Sequence, residues 1–479
     1  MMHRVLLTFL LLFSLGASLH AQENFADDLS GFEEENSLVD TLSDDLDGFG
    51  EESISSEPEI QTPPSNLSIN GNVAFKTAYG YREHDVDSVE YSGFNQAQTA
   101  LYLQLNYKIN SDWKLRLSGD GFYDAIYDLS AKDYNQDVLD TYKTQLRLDD
   151  TYLQGRLTPE LDLKLGRQIV IWGKSDSIRI TDVINPLDNR LPGITDIEDL
   201  RLSTTMAKLD YYLGSWNFSA MAIAESRIFL EAAPRGEYFP VDAVFANAPT
   251  PFIELVEPNS SLEDMQYAFA ANGVFSGWDL SFYGADVLDS RWHLEGALPN
   301  AKRVVSKIQM LGSALNIAYG SWLIKSELAY INGLKYNSTQ DEKARLDALV
   351  GFDYMGISDT VLSLEIANRH IFEYESQMSG LTLGVVPDYI QEDEVQTALR
   401  TTHSFSNDTL NATLLLSTFG NHWQYGGFFR GSLEYDVRDG VVANFGVIDY
   451  LDTPLQQDKP FTHAISNNDR LYLDITYSF

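Results

Sequence analysis

Cysteine is absent from the 479-residue chain, which excludes disulfides and thiolate chemistry. Also missing, beyond the N-terminus, is any run of about 18 apolar residues, so no helical membrane span is expected. Basic residues are scarce, with 33 Lys and Arg against 70 Asp and Glu and a formal charge of −37. Phosphate binding needs a basic surface, and nucleic acid is excluded as a partner on that ground. Loop Asp and Glu follow no calcium-loop spacing, so no metal or cofactor is expected. His403, Ser404 and Ser406 gather near a turn, but without a carboxylate partner or a nucleophile elbow. No enzyme is expected.

What is present begins with an N-terminal segment, 1–21, that has a basic start at His3 and Arg4 and an apolar core. It reads as a secretory signal. Residues 22–66 are dense in Asp and Glu and hold no Lys or Arg. Such a composition cannot offset ordering entropy, and a disordered acidic periplasmic tail is expected. Within it Asp27-Asp28-Leu29-Ser30-Gly31-Phe32 is echoed by Asp44-Asp45-Leu46-Asp47-Gly48-Phe49. The pair reads either as solvated spacer or as two docking motifs, anchored by Leu29, Phe32, Leu46 and Phe49, whose doubling raises avidity for a basic groove.

From Leu67 onward apolar and polar residues alternate with period two, the pattern of strands with one greasy face. A mean hydropathy of −0.21 beside 12% aromatic residues is what such strands average to. Eight tight turns rich in Gly, Asn, Asp or Ser recur near 110–112, 158–160, 214–215, 276–277, 320–321, 357–359, 406–408 and 438–440. The opposite ends are joined by longer loops, the largest near 173–203 and 225–263. Trp113, Trp216, Trp278 and Trp322 open strands straight after turns, as an interfacial girdle requires. The fold expected for 67–479 is all-β, a closed antiparallel transmembrane barrel of about 18 strands, with 16 as the alternative. The last strand, 470–479, puts Leu471, Leu473, Ile475, Tyr477 and Phe479 on one face. It resembles the terminal sorting strand of bacterial outer-membrane barrels, where Tyr477 and Phe479 would be read by the barrel-assembly machinery. A monomer in the lipid of a Gram-negative outer membrane is expected.

The fourth and fifth strands, 142–157 and 161–172, break the alternation in a matched way. Beyond Asp149-Asp150 the outward set shifts by one residue, and in the fifth strand Arg167 would face hydrocarbon unless a bulge at Gly166 turned it inward. Folding the hairpin sets Asp149 and Asp150 near Arg167 and Gln168. A lumenal ionic cluster is expected, either a brace for the wall or a constriction that a solute meets.

Gly166-Arg167-Gln168, an apolar run, Trp172-Gly173-Lys174-Ser175 and then Asn185-Pro186-Leu187-Asp188-Asn189-Arg190 resemble the pattern of a proteobacterial outer-membrane family known by an uncharacterised-domain label. Lys174 stands where that pattern has an acid. The Gly-Arg-Gln strand is also similar to one in alginate-export barrels, although this chain is far more acidic. The family resemblance implies a large barrel associated with resistance-nodulation-type transporters and periplasmic lipid-binding proteins, moving hydrophobic compounds. On that footing Trp172, Lys174, Arg179, Asn185, Pro186, Asp188 and Arg190 would shape the mouth. The loop 225–263 carries Phe229, Phe239, Phe245 and Phe252, too much apolar surface to hang in water. It reads as a stiffening lid or as an apolar gate. The function expected is transport of a hydrophobic or amphiphilic compound, with a cation-preferring general porin or a closed scaffold as alternatives.

Overall fold

The computed structural model describes residues 66–479 apart from 240–252, 262, 290, 298–299, 338, 340, 383–385 and 453–464. The expected signal segment, the tail up to residue 65 with Leu29, Phe32, Leu46 and Phe49, and also Phe245 and Phe252, lie outside the described residues.

Eighteen strands follow one another: β1 Leu67–Gly80, β2 Gly93–Lys108, β3 Trp113–Asp124, β4 Thr144–Thr158, β5 Leu161–Gln168, β6 Thr204–Leu213, β7 Trp216–Ile223, β8 Gln266–Phe275, β9 Trp278–Leu288, β10 Lys307–Tyr319, β11 Trp322–Leu334, β12 Lys343–Ile357, β13 Thr360–Ile371, β14 Asp393–Phe405, β15 Leu410–Phe419, β16 Gly427–Arg438, β17 Val441–Leu451 and β18 Arg470–Ser478. Each pairs antiparallel with the next, and β18 closes on β1 with Val73 opposite Tyr477 and Phe75 opposite Ile475. Phe479 and Gly71 exchange two backbone hydrogen bonds of 2.9 Å, so the ring has no open edge there.

The wall follows from period-two alternation. Along β11, Lys325, Glu327, Ala329 and Ile331 are buried while Leu328 and Tyr330 are exposed. Exposed Leu, Ile, Phe and Tyr recur on the outer face of every well-paired stretch, forming the belt that meets lipid. Trp278 and Trp322 are exposed at the short-turn end, Trp278 stacked on Phe275 at 4.3 Å. All eight expected tight turns lie at that end. Longer connections join the strands at the other, among them 125–143, which winds into α1 Ile126–Leu129 and α2 Gln136–Tyr142. Asn135 caps α2 by accepting from the Val138 N–H at 2.9 Å. This ring places the chain in the outer membrane of a Gram-negative cell.

Three expectations are corrected. The fifth strand ends at Gln168, not at Trp172, because the chain turns into the barrel there. The fourth starts at Thr144, since Tyr142 belongs to α2. The extra residue of β4 is absorbed where Asp149 and Asp150 together face Ser118 of β3, but Gly166 makes no bulge: its register with β4 and β6 runs unbroken. Gly166 instead takes φ +125°, and Arg167 keeps the face it shares with Thr151 and Thr205.

Candidate functional site

The interior is divided by residues 169–203, which leave the wall after β5, cross the lumen and return at β6. Asn185 ties both ends of this plug together. Its side chain accepts from the Val170 N–H at 2.8 Å and donates to the carbonyls of Gln168 at 3.2 Å and Leu202 at 2.9 Å. Pro186 adds its carbonyl to the Leu202 N–H at 2.8 Å. A buried amide meeting three chain segments is costly to replace, since each orphaned group keeps its desolvation penalty.

Two glutamates of the far wall hold the plug's tip. Glu327 accepts from the N–H groups of Lys174, Ser175 and Thr181 at 2.6, 2.8 and 3.1 Å and from the Thr181 hydroxyl at 2.8 Å. Glu365 accepts from the N–H groups of Asp176, Ser177 and Ile178 at 2.7, 3.0 and 3.1 Å. Gly173, at φ +90°, lets this happen: a Cβ there would lie 2.8 Å from both Glu327 carboxylate oxygens. Lys325 pairs with Asp176, and with Asp353 at 2.7 Å. Further round, Arg430 bonds Asp196 and the Ile194 carbonyl at 2.7 Å, and Arg400 reaches Asp196 at 3.2 Å.

Apolar contacts fill the same side. Val170, Trp172, Ile178, Ile180 and Ile184 pack on inward wall residues such as Met206, Met221, Ile223, Tyr283, Met310 and Leu349. β6–β13 line this side with apolar residues that meet the plug, interspersed with buried charges that include Lys325, Glu327, Asp347, Asp353 and Glu365. Across the plug, along β14–β18 and β1–β3, a cavity of about 460 Å³ remains. It extends from Asn411, Glu434 and Asn444 near the short turns to Tyr91, Tyr127, Tyr142 and Tyr238 at the long-loop end. Lys76, Asp124, Asp196, Asp199, Arg400, Arg430 and Asp474 also line it.

The family described as "Protein of unknown function (DUF1302)" matches residues 13–479. The chain belongs to that family. No curated protein matches it. Solved structures with a similar fold include Pseudomonas aeruginosa OpdL, at 12% identity, 86% of this chain, 99% of that one and a TM-score of 0.46. Another is Acinetobacter baumannii OccAB1, at 11% identity, 88% and 99% coverage and a TM-score of 0.49. A third is P. aeruginosa OpdK with vanillate, at 12% identity, 86% and 98% coverage and a TM-score of 0.46. Such likeness does not reach past the fold.

The expected cluster of Asp149, Asp150 and Arg167 is not formed. Asp149 accepts from Arg147 at 3.1 Å, and Arg147 also meets Asp120 at 2.9 Å and Asp188 at 3.6 Å. Asp150 is held by the bulge, its carbonyl accepting from the Ser118 hydroxyl at 2.9 Å. Arg167 pairs with Glu225 and donates to the Leu148 carbonyl at 3.1 Å. The reason is parity: without a bulge at Gly166, Arg167 stays off the lumenal face that carries Asp149. Gln168 is fully buried and bonds the Met206 carbonyl at 3.3 Å.

The family motif is the plug's own scaffold. Trp172 is buried against Tyr283, ring centroids 4.7 Å apart, rather than at the mouth. The Lys174 ammonium lies 3.9 Å from Asp279. Arg179 meets Asp182 at 3.4 Å, and Asp188 takes the Arg190 Nε–H at 2.8 Å. Asp188–Asn189 pairs in parallel with Leu230–Glu231, so the two largest loops interlock. In the second of these Phe229 is buried, and Phe239 packs on Tyr238, Ile448 and Ile465. Sequence reasoning missed Glu327, Glu365, Arg400 and Arg430. Their signal was present as charges on the inward phase of β11, β13, β14 and β16.

Proposed function

We propose that this chain is a monomeric, occluded outer-membrane channel that moves a small amphiphilic compound along the polar side of its lumen. One observation carries the reading: the plug fills one side of the interior while a cavity of about 460 Å³ persists beside it, faced with tyrosine rings and charges. Rings with polar tips bind a compound that has both an apolar body and a polar group, and suit a wholly hydrophobic one less well. Asp196, held between Arg400 and Arg430, marks the narrowing where the plug meets the wall. This pair takes the role expected of Arg167 and Asp149. The acidic tail with its repeated Leu and Phe motif supports a periplasmic partner, docked by two weak contacts acting together.

A second reading, a diffusion pore with cation preference, is favoured by the acids Asp124, Asp199, Glu434 and Asp474 along the same cavity. Planar-bilayer recording separates the two. The amphiphile channel should show small, fluctuating conductance, and a deletion strain should lose accumulation of an amphiphile. Large steady conductance with normal accumulation would establish the pore instead.

A further inference from the structure

The wall is notched. β5, β6 and β7 span 8, 10 and 8 residues where β4 spans 15. Pairing of β4 with β5 stops at Thr151 opposite Arg167, yet pairing with β3 continues to Thr144 opposite Tyr123. Residues 144–150 therefore have a strand on one edge only among the described residues. Carbonyls of Gln145 and Arg147 approach Gly121 and Gly119 of β3, so those of Leu146 and Leu148 point to the open edge. Arg167 reaches across the seam to take the Leu148 carbonyl.

Both chemistries of an amphiphile meet at this seam. Leu146, Leu148 and Ile171 are 93%, 63% and 65% exposed; in the paired wall Leu101 and Leu103 stand at 42% and 41% and Leu311 at 70%, so Leu146 is the most exposed of these. Beside them stand two guanidiniums and one carboxylate. Glu225 is taken by Arg167 and by the Thr205 N–H and hydroxyl, at 2.9 and 2.7 Å. Arg227 donates to the Ser203 carbonyl and forms no ion pair among the described residues. It is half-buried and lies within electrostatic reach of Arg167, Glu225, Arg147 and Asp149. A guanidinium whose hydrogen bond goes to a carbonyl rather than to a carboxylate, beside a second guanidinium at Arg167, offers an anion a charge-assisted pair.

We propose that the seam between β4 and β5 binds an anionic amphiphile, its carboxylate or phosphate head on Arg227 and Arg167 and its alkyl chain along Leu148 and Leu146. The occupant is the transported compound entering or leaving sideways through the outer leaflet, an assignment that rests on the channel reading above. An open edge leaves backbone groups without strand partners: Arg167 supplies a donor to the Leu148 carbonyl, and an anionic head beside it can accept from N–H groups on the same edge.

The test uses the full-length protein in nanodiscs and a fluorescent long-chain carboxylate, with its alcohol analogue and acetate as controls. The carboxylate should bind and the alcohol should not. Arg227→Gln should weaken carboxylate binding about tenfold or more, as loss of a charge-assisted pair does. Arg227→Lys should retain most of it, and Leu148→Gln should weaken the long chain without creating acetate binding. Equal binding of alcohol and carboxylate, or wild-type affinity in Arg227→Gln, overturns the proposal. Displacement of the probe by phospholipid at equal efficiency overturns the cargo assignment in favour of bulk lipid. Absence of conductance in the wild type would count against the channel reading alone, because binding is measured separately.

Discussion

Glu327 shows how much of the plug one residue holds. Its carboxylate is the acceptor for three N–H groups and one hydroxyl of the plug, and Ala there would orphan all four at about 1–3 kcal/mol each before relaxation. Glu327→Ala is expected to free the tip of the plug, raising single-channel conductance and exposing 173–181 to protease. Unaltered conductance would mean that Glu365 and the apolar contacts suffice. Gly166 is the second such position. With φ at +125° and a Cβ that would lie 2.3 Å from the Thr151 carbonyl, Gly166→Ala should cost about 1–3 kcal/mol. The expected readout is heat-modifiability on gels lost at lower temperature; an unshifted transition would contradict the strain.

Among the elements, the plug and the closing strand behave oppositely. The plug is held by side chains from many strands, so Arg430→Ala, which removes bonds to the Ile194 carbonyl and Asp196, should loosen only its far limb. The expected outcome is a wider cavity with the barrel intact, seen as faster uptake of the amphiphile. The closing strand is held by backbone pairing with β1, and Tyr477 and Phe479 are each 51% exposed on its outer face. Replacing both with Ser should leave refolded barrel stable yet reduce assembled protein in cells, measured by outer-membrane fractionation. This hairpin logic was largely legible in the sequence, because period two and turn chemistry act locally. The placement of Arg167 was not, because a glycine can relieve strain with or without shifting register.

For the whole molecule, charge is the property that predicts behaviour. Burial holds the carboxyls of Glu198 and Asp199 above the ordinary carboxylate range, with Asp196 adding repulsion. An acid with a raised pKa takes up its proton earlier on acidification, so negative charge leaves the cavity before exposed carboxylates titrate. Cation preference, read as reversal potential across a salt gradient, should therefore fall as pH is lowered. Asp199→Asn should remove part of that fall, and an identical profile would dissociate the residue from the permeation path. Deleting 22–64 should spare insertion and lower transport in cells, and full transport without the tail would remove the docking idea.

The sequence by itself determined the ring: alternation, eight tight turns and a final amphipathic strand are properties of neighbouring residues, and a closed barrel is the one arrangement of such strands that leaves no unpaired edge in lipid. It also marked Gly166 to Arg190 as unusual. Only the tertiary structure decided that this segment crosses the lumen and that Glu327 and Glu365 receive it. Those contacts join residues more than 140 positions apart, as between Lys174 and Glu327. No local pattern encodes such a meeting, because it depends on which strands the closed ring sets opposite one another.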